Sequence, residues 1–338
     1  MIDLLVAGGG PAGAATAIRA ALAGLEVVVV EPRVAPVDKA CGEGLAHSAV
    51  GELARLGVEL TGRPFHGIRY LDASRQVEAR FSAGPGLGVR RTVLQHALHQ
   101  RLEEVGVRVV RRRVEAISQN DHSVTAAGLT ARYLAAADGL HSPIRRQLGL
   151  AARAGDGVRR GLRRHYRVAP WSDLVEVYWS ALGEAYVTPV SDDLVGVAIL
   201  TSARGSFDSH LTAFPRLARR LDQAAVATPV LGAGPLRQRV RGRVAGRVLL
   251  VGDAAGYVDA LTGEGIAVAV RTSAELVRCV IDDRPDRYEA AWRRVSLERR
   301  LLTGSLLWAR NRSLLAPRIV PAANRLPGVF AAIVNRLD

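Results

Sequence analysis

The stretch Ile2-Asp3-Leu4-Leu5-Val6-Ala7-Gly8-Gly9-Gly10-Pro11-Ala12-Gly13 leads from an apolar run through a glycine-rich turn into an alanine-rich helix, Ala12 to Ala23. The apolar run has the continuous hydrophobicity of a strand buried on both faces. Gly8 permits the tight turn, Gly10 lets the backbone approach a pyrophosphate, and Gly13 allows helix and strand to pack closely. Pro11 and Ala12 open the helix, whose N-terminus faces anionic phosphates. Val27 to Val30 returns as a second buried strand, and Glu31, eighteen residues after Gly13, stands at its end, where a carboxylate can accept ribose hydroxyls. If the glycines served a turn alone, strand, helix and acid would be in register for no reason. The pattern predicts a βαβ unit that binds a dinucleotide.

Working outward, 338 residues with 49% hydrophobic content can bury a large core. No apolar stretch reaches the roughly 18–20 residues that cross a bilayer, and the start lacks the basic flank and cleavage site of a signal peptide, so a cytoplasmic location is expected. Cys41 and Cys279 are the only cysteines, too few for a disulfide framework or a zinc site. No metal is expected. The formal charge of +14 is carried almost wholly by arginine, Lys39 being the single lysine. The arginines are scattered and accompanied by no stacking ladder or recognition module, which argues against nucleic acid as partner. Anionic lipid headgroups or an acidic cofactor fit the charge better.

Pro32 to Leu45 shows no periodicity and is expected to be a long ordered loop with a function. A hairpin is predicted from His66 to Phe81, a helix from Thr92 to Val105, and strands at Val107 to Val110 and Tyr133 to Ala137. Between about Gly161 and Ile199, β-branched and aromatic runs predict a mostly antiparallel sheet. A strand at Arg247 to Val251 and a helix from about Gly263 to Ile281 resume the nucleotide domain, which is therefore discontinuous. The expected fold class is α/β. A Rossmann-like nucleotide domain covers 1–63, 84–158 and 240–285, a mostly antiparallel β-sheet substrate domain is inserted at 64–83 and 159–239, and 286–338 is helical.

Three later segments narrow the ligand. Val251-Gly252-Asp253-Ala254-Ala255 follows a strand, and Thr262-Gly263-Glu264-Gly265-Ile266 opens a helix whose amides can stabilise a developing anion. Ala137-Asp138-Gly139-Leu140-His141-Ser142-Pro143-Ile144-Arg145 is the third. In their order along nearly the whole chain these segments resemble the para-hydroxybenzoate hydroxylase-like flavoproteins. Asp38-Lys39-Ala40-Cys41-Gly42-Glu43-Gly44-Leu45 resembles the cysteine-glycine segment of their geranylgeranyl reductase branch, which also contains many actinobacterial oxidoreductases described as monooxygenases.

The resemblance implies an FAD-binding domain roofed by the second sheet. It also implies FAD contacts at Gly8, Gly10, Pro11, Ala12, Gly13, Glu31, Pro32, Arg33, Cys41, Gly42, Arg91, Asp138, Gly139, Gly252, Asp253, Gly263, Glu264, Gly265 and Ile266. Arg90 competes with Arg91 for its role. One departure is Glu184-Ala185-Tyr186-Val187-Thr188-Pro189, which keeps the proline of the prenyl-reductase segment and lacks its tryptophan. The halogenase tryptophan motif is absent, and Lys39 stands in a different context from the halogenase lysine.

The leading expectation is an FAD-dependent monooxygenase that uses NAD(P)H and acts on a hydrophobic aromatic, quinone or polyketide-like small molecule. The alternative is a double-bond reductase of a prenyl or quinone substrate, and a third reading is a non-redox cyclase with structural FAD. Cys41 and Glu43 are the candidate catalytic residues, as proton donors or, for the thiol, as an adduct former. Each has a bland counterpart, a small buried apolar residue and a solvated loop acid. Tyr166, Tyr178, Tyr186 and Pro189 are expected at the substrate pocket. The segment Leu301 to Leu337 reads as a helical cap over that pocket or as an interfacial helix touching a membrane.

Overall fold

In the computed structural model, residues 1–153 and 158–337 are described. The helices are α1 (Pro11–Leu22), α2 (His47–Ala54), α3 (Arg91–Glu104), α4 (Pro143–Gln147), α5 (Phe207–Leu211), α6 (Pro215–Leu221), α7 (Gly265–Ile281), α8 (Tyr288–Arg310), α9 (Ile319–Arg325) and α10 (Pro327–Leu337). None of them is long and apolar enough to cross a membrane.

The glycine-rich stretch folds as its composition demands. Ile2–Ala7 lies at the centre of an eight-stranded sheet, between Leu129–Ala136 and Val27–Val30 and parallel to both. Arg108–Val110 and Val248–Leu250 extend the parallel order on the two sides. All four valines of Val27–Val30 are buried, as expected of a strand covered on both faces. Pro11 sits at the first turn of α1, where its missing N–H costs nothing, and Gly24 takes the left-handed conformation just past the helix end, φ 82°. Helices α1, α3 and α7 supply the buried apolar residues that meet this sheet in one core.

A second sheet follows the order Ala225–Val226, Arg160–Arg167, Leu194–Thr201, Gly183–Pro189, Val175–Ser180, Gly67–Leu71, Gln76–Arg80. It is antiparallel except where Gly67–Leu71 runs beside Val175–Ser180. Side chains alternate across it, and the two faces do different work. Ala185, Val187, Val195, Val197 and Ile199 pack with Phe207, Phe214, Leu217 and Leu221 of α5 and α6. The opposite face carries Val175, Val177 and Trp179 and is covered by α8 and α9, while α10 closes on Val77 and Ala79 through Phe330 and Val334. The architecture is α/β, with two large sheets and a helical C-terminus.

Between the sheets lies a small antiparallel sheet of Gly44–Leu45, Arg63–Phe65 and Gly86–Gly88. No alternating pattern announces strands of two or three residues, and the sequence reading placed a loop over the first of them.

One guanidinium joins the ends of the parallel strands. Arg145 is buried on α4 and donates to the carbonyl oxygens of Leu140 (2.9 Å), Asp253 (3.2 Å) and Ala254 (3.0 Å) and to Gln238 Oε1 (2.6 Å). Ser142 Oγ accepts from the Arg145 amide at 2.9 Å, and Asp138 Oδ2 accepts from Ile144 N at 3.1 Å, which fixes the helix that carries it. Burial pulls the Arg145 pKa below its usual value, and Asp138 and Asp253 oppose that shift. Arg145→Met removes these charge-assisted bonds and strands their acceptors. The variant is expected to lose about 3 kcal/mol of stability in denaturant unfolding. An Arg145→Met protein as stable as wild type would remove this residue from the framework.

Candidate active site

A cavity of about 920 Å³ runs between the two sheets and the C-terminal helices. Gly10, Pro11, Ala12, Asp38, Lys39, Cys41, Gly42, Arg91, Asp138, Gly139, Gly252 and Asp253 line its polar end. Gly263, Glu264, Gly265 and Ile266 also reach it. Gly8, Gly13, Glu31, Pro32 and Arg33 stand behind this wall. Gly8 and Gly13 are required there by close approach: a Cβ would lie 2.4 Å from the Ala137 oxygen at Gly8 and 1.8 Å from the Gly8 oxygen at Gly13. Glu31 accepts from Gly9 N at 2.9 Å and holds the Arg33 fork, with Arg33 Nε at 2.8 Å and Nη2 at 3.0 Å. Its carboxylate is thus already bonded to protein, and the ribose contact expected of it competes with Arg33. Gln95 and His99 of α3, unnoticed in the sequence, meet the Gly9 carbonyl at 2.9 and 3.1 Å.

The polar end gathers positive charge. Arg33, Lys39 and Arg91 lie close together: burial, then Arg33 and Arg91, push the Lys39 pKa down, and burial, aided by Arg33, pushes Arg91 down, while Glu31 raises Arg33 itself. Asp253 faces them with its own pKa raised by burial and pulled back by Lys39, Arg91 and Arg145. Arg91 Nη1 and Asp138 Oδ1 are buried without a partner. A cluster of cations, an unpaired guanidinium nitrogen, an unpaired carboxylate oxygen and a side-chain-free turn at a helix N-terminus suit a pyrophosphate with sugar hydroxyls. FAD fits that donor set. Arg91 lines the cavity and Arg90 does not. Sequence reasoning left Lys39 out of the site, although its being the single lysine among 46 basic residues was a visible signal.

Glu43 is corrected by the structure. It lies in the cavity wall with left-handed backbone, φ 59°, and is not a solvated acid. Its Oε1 accepts from Arg91 N at 2.8 Å, capping α3, and its Oε2 meets His165 Nε2 at 2.6 Å. Arg163 Nη1, which can only donate, is 3.1 Å from His165 Nδ1, so that nitrogen accepts and Nε2–H points at Glu43. Arg163 also donates to Asp38 and, at 3.1 Å, to the Lys39 carbonyl. With both oxygens engaged by protein groups, Glu43 positions the Asp38–Leu45 loop.

Tyr166 and Tyr178 are a second correction. Both belong to the α5–α6 face of the second sheet, and Tyr178 donates to Glu176 at 2.6 Å, so neither lines the cavity. Pro189 is buried outside the cavity wall, its carbonyl 1.7 Å from where a Gly88 Cβ would stand. Tyr186 does line the cavity and donates to the Leu261 carbonyl at 2.7 Å. Burial pushes the Cys41 thiol up, against the pull of Arg91, which keeps it protonated. Adduct formation, which needs thiolate, is disfavoured. Burial also pushes the Glu264 carboxyl up to about 7, with Arg299 3.2 Å away opposing the shift.

From this polar end the cavity continues as an apolar arm. Phe65, Ile68, Tyr70, Val175, Val177 and Leu261 form one side, and Leu302, Leu306, Ile319, Val329, Phe330 and Ile333 form the other.

A profile of the family described as FAD binding domain matches residues 1–282. The chain is 30% identical to the menaquinone reductase of Mycobacterium tuberculosis strain H37Rv, over 98% of this chain and 89% of that protein. It is 25% identical to digeranylgeranylglycerophospholipid reductase 2 of Methanosphaera stadtmanae, over 80% of this chain and 75% of that one. The structure of flavin-dependent brominase Bmp2 superposes with a TM-score of 0.83 at 17% identity, covering 99% of this chain and 93% of that one, which is a likeness of fold. The cation-lined glycine turn and the matched profile agree, and the chain belongs to the FAD binding domain family as an FAD-dependent oxidoreductase.

Proposed function

We propose that this protein is a reductase of carbon–carbon double bonds in a long, largely apolar molecule of the isoprenoid or prenyl-quinone class, with a nicotinamide nucleotide as electron donor. The observation that carries the reading is the shape of the cavity, in which a charged end continues into an arm walled by aliphatic and aromatic side chains. Such a site suits an amphiphile whose reacting segment lies near the cofactor and whose tail fills the arm. The relatives named as menaquinone and prenyl-lipid reductases support the same class. Oxygen insertion, the leading expectation from sequence, has the fold likeness behind it and no feature of the cavity.

Bound FAD supplies the hydride chemistry. The protein binds the cofactor through the cation cluster, excludes water along the apolar arm and holds a proton. The cavity wall holds protons at neutral pH on the Cys41 thiol, in part on the Glu264 carboxyl, and on the hydroxyls of Tyr70, Tyr186 and Tyr257. We assign the proton to Cys41, which lies on the loop bolted by Glu43 and His165.

Anaerobic incubation of the flavin-loaded protein with NADPH or NADH and a prenyl quinone is expected to yield a product heavier by two hydrogens. In labelled oxygen gas the same product forms unlabelled. A product carrying a labelled oxygen would make the enzyme a monooxygenase. Cys41→Ala is expected to lower turnover about 100-fold with flavin content unchanged, the usual scale for loss of a general acid. Because the thiol pKa is raised, wild-type turnover stays level through neutral pH and falls above the ordinary thiol range. A fall centred near pH 7 that Glu264→Gln abolishes would move the proton to Glu264.

A further inference from the structure

The apolar arm ends at a rim that faces two ways. Leu326, Val329 and Ile333 line the cavity and are also 44–58% exposed. Earlier in the same C-terminal segment, Leu301 and Trp308 of α8 and Leu314 of the following turn are 57–73% exposed. Exposed apolar side chains scattered singly need no explanation, but three on the rim of an apolar cavity, with three more on the helix and turn that lead to it, mark an interaction surface.

The charge of this face selects the partner. Residues 299–337 contain seven arginines and no aspartate or glutamate. Arg312, Arg318, Arg325 and Arg336 are exposed, and Arg312 lies 5.2 Å from the centre of the Trp308 ring. Some exposed arginines elsewhere have acids, as Arg80 has Asp173 and Arg167 has Asp193. Arg312, Arg318 and Arg325 have no carboxylate within ion-pair distance among the described residues, and Arg336 has Glu298 only at 3.9 Å. A second copy docking two-fold on this face would set these arginines against themselves. An exposed indole and exposed aliphatic side chains on one segment, interspersed with unpaired cations, match the boundary between acyl chains and anionic headgroups.

We propose that α9, α10 and the turn joining α8 to α9 dock on the surface of a bilayer containing anionic phospholipid, so that the apolar arm opens toward the acyl chains. Substrate entry from the bilayer rests on the reductase reading, but the docking does not. The cap and the membrane contact are then one element seen from its two sides.

Flotation of the flavin-loaded full chain with vesicles tests the docking without reference to activity. The chain is expected to float with vesicles of equal parts phosphatidylcholine and phosphatidylglycerol, to stay behind with phosphatidylcholine alone, and to be released as salt rises. Tryptophan emission shifts to the blue on binding, and Trp308→Phe loses that shift. The double variant Arg318→Gln with Arg325→Gln keeps its flavin and thermal unfolding but partitions about 25-fold more weakly, at about fivefold per arginine near an anionic surface. Absence from both vesicle fractions at low salt would overturn the proposal. So would a dimer in solution that the same double variant dissociates.

Discussion

The Arg145 guanidinium is the point through which the cofactor end is assembled. The Asp-Gly segment leaves one parallel strand and the Gly-Asp segment leaves its neighbour, and their loops meet only if the polar backbone between them is satisfied. Arg145 satisfies three carbonyls and one side-chain oxygen at once, from a five-residue helix too short to be stable alone. The anchoring runs inward from caps on that helix, so the cavity wall at Gly139, Gly252 and Asp253 inherits its position from atoms outside the cavity.

The other wall is held by a second chain of bonds. Asp38, Arg163, His165, Glu43 and the α3 amide at Arg91 connect the cysteine-glycine loop to the second sheet and to a helix of the first. Arg163, His165, Glu43 and Arg91 are buried, so solvent cannot cheaply replace a missing partner among them. The loop is therefore rigid where a 14-residue aperiodic stretch would otherwise be mobile.

What the sequence disclosed follows from the range of the forces involved. The glycine turn, its flanking strands and the alanine-rich helix were legible because each is dictated within about a dozen residues. The parity of the second sheet was not. Val175 and Val177 face the cavity and Tyr178 faces away, a choice made by the packing of α5 and α6 from some thirty residues later. Glu43 looked like an exposed acid because its partner His165 stands 122 residues on. The C-terminal region was legible as helical and basic. That its side chains serve cavity and surface together depends on how α10 lies on Gln76–Arg80, which no local pattern encodes.

A buried ionic knot governs how that cap can behave. Arg159 donates to Glu184 at 2.7 Å and to Asp259 at 3.0 Å, and Arg310 at the end of α8 closes on the same Glu184. Pulling α8 away would leave Glu184 buried with one of its two cations gone, a costly state. A lid hinged on α8 is thereby disfavoured, and a guest of the proposed long, apolar class would thread in lengthwise past Leu326 and Ile333. Admission of this kind is a matter of reptation: its rate depends on the guest's flexibility and cross-section, so a branched or bulky chain is refused at the doorway before any chemistry can distinguish it.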